Sequence, residues 1–284
     1  MKFFAKAAAF LVTLLVATDG AFAASPLTTL IPDSASVPII MYHRITPKRS
    51  ELNTWAITPE EFESDLKFFS DNGFSTVFMS DLVSFVQGTG SLPDKPLVIT
   101  FDDGDSSVLT RALPLLEKYD MRAVFAVVGS ITDEYSTWDP GARKPHLAWD
   151  EVNQLISTGR FEVQNHSYAL HSSIGPTRRL KGESDERLSA RLSGDWLQAS
   201  GRIKDMTGTV PTTYVYPYGS KSDFTDRLAK RLGFAATLTC ADHVNLITRG
   251  DSDCLIGLGR TNRPHGKATE TVCGKFLNTT RADT

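Results

Sequence analysis

The segment Pro96-Leu97-Val98-Ile99-Thr100-Phe101-Asp102-Asp103-Gly104 decides the fold of this chain and locates its chemistry. Its apolar run from Pro96 to Phe101 is typical of a strand buried on both faces, as in a parallel sheet. Two aspartates and a glycine follow at once. Because α/β folds keep their reactive groups at the carboxyl ends of parallel strands, this ending predicts a functional site.

A second predicted strand ends in histidines. Phe161 to Gln164 is followed by the segment His166-Ser167-Tyr168-Ala169-Leu170-His171. On a helix the two histidines would lie about 140° apart, so we expect a loop on which both can turn inward. One aspartate and two histidines can hold a divalent metal, and the second aspartate can then handle a proton. Taken singly, the aspartates could cap a helix and the histidines could be ordinary surface or core residues.

The rest of the chain alternates strands and helices. Thr58-Pro59-Glu60-Glu61 is a helix start, and residues 183–207 form a long amphipathic helix. Further strands are predicted at Val37 to Tyr42, Ser75 to Phe78, Ala123 to Val128, Thr213 to Tyr216, Phe234 to Leu238 and Leu255 to Leu258. This alternation over residues 37–284 predicts one α/β domain with a parallel sheet, either a barrel or a doubly wound sheet.

The N-terminus has the pattern of a targeting segment. Two lysines precede the apolar stretch Ala7 to Ala17, and Ala21-Phe22-Ala23 fits a cleavage site. We therefore expect residues 1–23 to be a signal peptide and residues 24–36 a polar lead-in to the domain. The apolar stretch is short for a membrane span, and an uncleaved anchor is the alternative. A secreted or periplasmic protein is expected, with no stable membrane insertion after cleavage.

Composition excludes several classes of partner. Lys and Arg number 30 against 33 Asp and Glu, and no basic stripe or polybasic run suggests nucleic acid or anionic lipid. We expect a monomer. The three cysteines leave at least one without a partner in the chain. A Cys240–Cys254 bridge is favoured, and inert free thiols are the alternative.

Other candidate residues follow predicted strands and would lie at the same edge of the sheet. Tyr214-Val215-Tyr216-Pro217-Tyr218-Gly219 ends in a rigid turn, and such a turn can aim a backbone N–H at a developing oxyanion. An ordinary aromatic turn is the alternative. His43 follows the first predicted strand and Arg260 follows the last. Three further histidines are interpreted as surface residues without partners: His146, His243 and His265.

Together these segments resemble the polysaccharide deacetylase family, the NodB-homology domain of carbohydrate esterase family 4. The matches to its three motifs, in order, are Thr100 to Gly104, His166 to His171 and Tyr216 to Gly219, within a resemblance from about Val37 to Arg263. The Leu170-His171 ending is typical of the poly-N-acetylglucosamine deacetylase branch. The resemblance implies a distorted (β/α)₇ barrel. It also implies a metal-dependent hydrolase that removes N-acetyl groups from N-acetylglucosamine-type residues of an extracellular or cell-wall polysaccharide.

The resemblance assigns roles as well. It implies that a metal, Zn²⁺ before Ni²⁺, Co²⁺ or Fe²⁺, is bound by Asp103, His166 and His171. It implies that Asp102 takes the proton of the attacking water and that the Tyr218 N–H stabilises the oxyanion. The expected contacts with the substrate are Tyr216, Pro217 and Arg260.

Two departures from the family pattern matter. Val215 stands where many members carry an arginine, and the tail lacks the Leu-x-x-His motif that often supplies the general acid. The exopolysaccharide-deacetylase branch shares both departures and draws its acid from the segment equivalent to Met41-Tyr42-His43, which implies His43 here. Two other functions stay open: an O-acetyl esterase acting on xylan or another glycan, and a catalytically inactive glycan-binding protein.

Overall fold

The computed structural model describes residues 34–139, 141–171 and 177–278. The predicted signal peptide and nearly all of the lead-in lie outside the described residues. Within the described part of the chain, none of the helices combines the length and hydrophobicity needed to cross a bilayer.

A parallel sheet forms the centre of the domain. Its spatial order is β10 (Ala236–Leu238), β9 (Thr213–Val215), β8 (Phe161–Asn165), β7 (Ala123–Val127), β6 (Pro96–Phe101), β2 (Ile39–Tyr42) and β12 (Thr261–Asn262), with β5 (Ser75–Thr76) beside the start of β6. Every pair in this sheet is parallel. The alternation of strands and helices required this arrangement, because parallel neighbours need a crossover connection. The short strands β3 (Arg44–Ile45) and β4 (Ala56–Ile57) form a separate parallel pair.

The two edges of the sheet meet. Leu238 of β10 forms a parallel bridge with Leu258, on the extended segment that continues into β12. The Leu258 N–H donates to the Thr237 carbonyl at 2.9 Å, and the Thr239 N–H donates to the Leu258 carbonyl at 2.8 Å. The sheet therefore curls into a distorted barrel, which confirms the predicted (β/α)₇ fold.

Helices cover the outside of the sheet. They are α1 (Pro59–Asp71), α2 (Met79–Val86), α3 (Leu113–Lys118), α4 (Gly129–Ser136), α5 (Trp149–Ser157), α6 (Asp185–Thr207), α7 (Asp223–Arg231) and α8 (Thr269–Cys273). The predicted start of α1 is confirmed: Thr58 Oγ1 accepts the Glu61 N–H, and the Glu61 carboxylate accepts the Thr58 N–H. This reciprocal cap satisfies two of the backbone donors that a helix start leaves open.

Successive residues of the strands enter two different cores, as the pleat of a strand requires. In β6, Leu97, Ile99 and Phe101 pack with residues of α1, α3 and α5. Val98, between them, packs with Val124 of β7 and with other residues of the concave face. The continuous apolar run of β6 is thus explained by burial on both faces.

The structure corrects two predicted strands. Val37 to Tyr42 is two strands, because Pro38 lacks an N–H and separates β1 (Ser34–Val37) from β2; β1 pairs antiparallel with β11 (Asn245–Thr248). The predicted last strand at Leu255 to Leu258 is also wrong. A 3₁₀ turn occupies Ser252–Leu255, and the chain extends only from Leu258 onward.

Candidate active site

Three potential metal ligands converge at the carboxyl ends of β6 and β8. Oδ1 of Asp103 lies 3.3 Å from Nε2 of His166 and 3.0 Å from Nε2 of His171. One donor atom from each residue lies within 4.8 Å of the other two. Oδ1 of Asp103 is buried and receives no hydrogen bond from the described residues. Since buried polar atoms are nearly always satisfied, this oxygen fits a cation placed between it and the imidazoles.

The orientation of His166 suits a metal ligand. Its Nδ1 lies 2.8 Å from the Val215 carbonyl oxygen. A carbonyl can only accept, so Nδ1 carries the proton and Nε2 turns its lone pair toward Asp103. Metal-binding histidines commonly have their second nitrogen fixed in this way.

Local backbone conformation turns the ligands inward. Of the four non-glycine residues with positive φ in the described part of the chain, three lie at this site: Asp103 at 71°, Ser167 at 75° and Tyr218 at 58°. Such conformations cost on the order of 1–3 kcal/mol each and persist only where neighbouring contacts fix them. Asn165 supplies one such contact, because its Oδ1 accepts the Ser167 N–H at 2.8 Å. The loop conformation expected for His166 and His171 is therefore present.

Asp102 is held by an arginine from the closing segment of the barrel. Nη1 and Nη2 of Arg260 donate to its two carboxylate oxygens at 2.7 and 2.8 Å. Burial alone would raise the pKa of Asp102, but the Arg260 guanidinium outweighs it and lowers that pKa below its usual value. Asp102 is therefore ionised and fixed in direction, beside the potential metal ligands.

This geometry corrects the role expected for Arg260. Its side chain has no exposed surface, and its Nε donates to the Thr239 carbonyl at 2.8 Å. It cannot contact a substrate directly. The sequence predicts Arg260 on a loop after a strand at Leu255 to Leu258. In the structure, the extended segment that closes the sheet begins at Leu258 and leads into β12, and Arg260 is buried within it.

Two other expected substrate contacts are buried as well. Tyr216 has no exposed surface, and its hydroxyl donates to Asp226 at 2.9 Å; Pro217 is also buried. Both residues fix the turn. Tyr218 is the exposed member, at 57%, with its ring centroid 4.8 Å from that of His171. Tyr218 is therefore the residue of this turn whose side chain solvent can reach.

His43 faces the site from the end of β2. It lines a cavity of about 200 Å³ with Asp103, His146 and Trp55, and the ring centroids of His43 and Trp55 lie 4.8 Å apart. Nδ1 of His43 is buried without a hydrogen bond among the described residues. Burial lowers the pKa of His43, although the carboxylates of Asp102 and Asp103 act against this.

Two residues that line this cavity, His146 and Trp55, were not predicted from the sequence. His146 has partners: its Nδ1 lies 3.0 Å from the Asp103 carbonyl, and its backbone bridges to Asp105. His265 also has a partner, since its Nδ1 lies 2.8 Å from Glu61. Nothing in the sequence around His146 indicates that this residue contacts the turn at Asp103. Nothing in the sequence marks Trp55 either.

The expected Cys240–Cys254 bridge is wrong. All three cysteines are free. Sγ of Cys240 lies 3.8 Å from the sulfur of Met41, while Cys254 Sγ accepts the Thr248 N–H at 3.4 Å. The structure therefore has the free thiols that the sequence left as the alternative.

The part of the chain that matches a known family includes the three potential metal ligands. A family model described as polysaccharide deacetylase matches residues 89–237. A poly-beta-1,6-N-acetyl-D-glucosamine N-deacetylase of Escherichia coli (strain K12) is 22% identical over 217 residues, covering 69% of this chain and 32% of that protein. A protein of the same name from Staphylococcus aureus (strain N315) is 23% identical over 186 residues, covering 64% of this chain and 60% of that protein. The chain thus spans about a third of the first relative and less than two thirds of the second.

Solved structures share the fold. A de-N-acetylase from Aggregatibacter actinomycetemcomitans superimposes with a TM-score of 0.71 and 23% identity, covering 85% of this chain and 99% of that one. IcaB from Ammonifex degensii gives a TM-score of 0.68 and 23% identity, covering 86% and 97% of the two chains. At these identities the likeness concerns the fold alone.

Proposed function

Because the chain belongs to the polysaccharide deacetylase family, we propose that it is a metal-dependent hydrolase that removes N-acetyl groups from N-acetylglucosamine-type residues of a polysaccharide. One observation carries the proposal. Asp103, His166 and His171 bring their donor atoms within 4.8 Å of one another, beside the ionised Asp102. The names of the relatives from E. coli and S. aureus favour the amide of an amino sugar over an O-acetyl ester.

The donor set fits a divalent transition metal. Two imidazole nitrogens and one carboxylate oxygen form a common set for catalytic Zn²⁺, which leaves a position for water or substrate. Ni²⁺, Co²⁺ and Fe²⁺ are alternatives, because imidazole suits them too. A bound ion would polarise the acetyl carbonyl and activate the attacking water.

Asp102 is the proposed general base. Arg260 occupies one lone pair on each carboxylate oxygen, and a carboxylate has further acceptor positions for the proton of a water. The same pair fixes the direction of those positions. Arg260 is thus a positioning residue that acts through Asp102.

His43 and Tyr218 complete the proposed reaction. Water adds to the acetyl carbonyl, the C–N bond breaks, and the products are acetate and a free amine. The amine nitrogen needs a proton as it leaves, and His43 lies in the cavity that contains Asp103. The Tyr218 N–H, on the turn beside His171, is proposed to stabilise the oxyanion.

Location and partner are proposed from the sequence. The signal-peptide pattern in residues 1–23 supports an exported, secreted or periplasmic enzyme. Its partner would be the acetylated amino-sugar polymer.

The test is acetate release from a panel of polymers. We expect poly-β-1,6-N-acetylglucosamine or chitin oligomers to release acetate, more than acetylated xylan does, and a chelator to stop the release. Asp102→Asn and His171→Ala should abolish it, while Asp71→Asn, an exposed aspartate on α1 paired with Lys67, should not. Acetate release that is indifferent to chelator and to both substitutions would reject the proposal, as would activity confined to xylan.

A further inference from the structure

A second cavity adjoins the proposed active site. Its volume is about 400 Å³, and it shares Arg44, Glu51 and Asp105 with the cavity lined by His43 and Trp55. The two cavities are therefore adjacent, and the smaller one is lined by Asp103 of the metal-ligand cluster and by Trp55. A polymer bound at the cluster would extend into it.

This second cavity is rich in positive charge. The cationic residues that line it are Arg44, Lys48, Arg111, Arg143 and Lys144, and the acidic ones are Glu51 and Asp105. Both acids are already paired. Lys48 Nζ lies 2.8 Å from Glu51, and Arg44 Nε lies 2.7 Å from Asp105. Arg111, Arg143 and Lys144 therefore have no acid among the lining residues to neutralise them.

Lys144 is the most unusual of these cations. The residue is 7% exposed and its side chain 3%, and its one ion pair among the described residues is a long contact with Glu151. The nearest carboxylate oxygen, Oε2 of Glu151, is 3.8 Å away and already accepts the Ala148 N–H. A positive charge on a largely buried side chain is stabilised by a nearby opposite charge. An anion entering the cavity would supply a closer partner than Glu151 does.

We propose that this cavity binds an oxyanion, a phosphate or carboxylate group, carried by the glycan substrate. The inference rests on the proposed function. Because this cavity adjoins the one lined by Asp103, such a group would lie on the same polymer, a short distance from the sugar whose acetyl group is removed. Lys144 supplies a charge-assisted hydrogen bond, and Arg143 and Arg111 supply further positive charge. The enzyme would therefore prefer an anionic amino-sugar polymer over a neutral one.

The experiment compares three N-acetylglucosamine pentamers with the metal-loaded full chain: unmodified, 6-O-phosphorylated on one sugar, and O-succinylated on one sugar. A charge-assisted hydrogen bond of this kind corresponds to roughly 10- to 100-fold. We expect kcat/KM for an anionic pentamer to exceed that for the neutral one by at least about 10-fold. Lys144→Met should remove most of this preference and leave kcat/KM for the neutral pentamer unchanged. Lys67→Met, an exposed lysine on α1, is the matched control.

The outcomes separate the possible failures. Equal rates for all pentamers, or a preference that survives in both Lys144→Met and Arg143→Gln, would overturn the inference while leaving the deacetylase proposal intact. Inorganic phosphate is titrated separately. If it binds the wild type and not Lys144→Met, while the anionic pentamers gain nothing, the site serves a free anion and the assignment to the substrate is wrong. No turnover of any pentamer would count against the proposed function itself.

Discussion

Asp102 and Asp103 are neighbours in sequence, yet their surroundings give them different chemistry. Asp102 has an arginine on both of its oxygens, whereas Oδ1 of Asp103 lies within 3.3 Å of two imidazole nitrogens. Two adjacent carboxylates would repel and raise one pKa. Arg260 prevents this at Asp102, so that residue can stay ionised and accept a proton. The different chemistry of Asp102 and Asp103 therefore depends on Arg260, which is distant in the sequence.

We expect Arg260→Met to reduce both stability and turnover. Removing one partner of a buried ion pair leaves an uncompensated charge and typically costs about 3–5 kcal/mol. Asp102→Asn alone should cost a similar amount and lower kcat by about 10²–10⁴. The double variant should regain much of the stability and none of the activity.

A denaturant-unfolding series of the two single variants and the double variant measures this coupling. Additive losses in the free energy of unfolding would mean that the pair contributes no interaction of its own. Metal content measured on the same samples separates loss of the base from loss of the ion.

His43→Ala should act on the leaving group. We expect it to keep the metal and to lose about 10²-fold in the rate of N-acetyl hydrolysis, since an amine is a poor leaving group without a proton. An activated aryl acetate needs little protonation and should lose much less. His265→Ala, whose imidazole contacts Glu61, is the matched control. Equal losses on both substrates would make His43 a positioning or structural residue instead.

At the scale of elements, the turn after β9 is fixed by a close approach. Gly219 has a φ of +64°, and a Cβ on it would lie 2.6 Å from the backbone nitrogen of Cys240. A side chain at this point would push apart the ends of β9 and β10. The glycine of the third motif is therefore required by space as well as by conformation.

Gly219→Ala should be more destabilising than an alanine at another left-handed glycine. Gly208 ends α6 with a φ of +74°, and a Cβ on it would meet no atom within 4 Å, so Gly208→Ala should cost only about 1 kcal/mol. The clash at Gly219 should add about 1–3 kcal/mol and disturb the turn that carries Tyr218. Chemical denaturation of both variants tests this, and equal losses would show that backbone conformation alone is responsible.

Local patterns predicted the strands and caps well and the closure poorly. The apolar run Pro96 to Phe101 and the cap at Thr58 depend on neighbouring residues, and both are in the structure as expected. Arg260 and Trp55 reach the site through contacts distant in sequence. No periodicity encodes such contacts, so the sequence placed Arg260 on the rim and did not mark Trp55.

At the scale of the molecule, the metal should couple to stability. The ligands come from two strand ends, so an ion that binds only the folded chain stabilises it by about 2.7 kcal/mol when present at 100 times its Kd. For a domain of this size that corresponds to a rise in Tm of roughly 5–10 °C. Thermal unfolding with Zn²⁺ and with chelator measures this rise.

His171→Ala should show almost none of this rise, and elemental analysis should find the variant depleted of metal. Full occupancy of His171→Ala, or a Tm indifferent to chelator in the wild type, would contradict the assignment of the ligands.

The contact between the two edges of the sheet also bears on the order of events during folding. Asp102 and Arg260 are 158 residues apart, so bringing them together carries a large loop-closure cost and belongs to the slow, non-local part of folding. Strands β6 to β8 can gather the aspartates and His166 well before that moment. Until Leu258 reaches β10, however, Asp102 has no guanidinium to fix the direction of its carboxylate. A half-folded chain would therefore carry the ligands of the site without a positioned base, and the proposed hydrolysis would begin only when the last strand is in place.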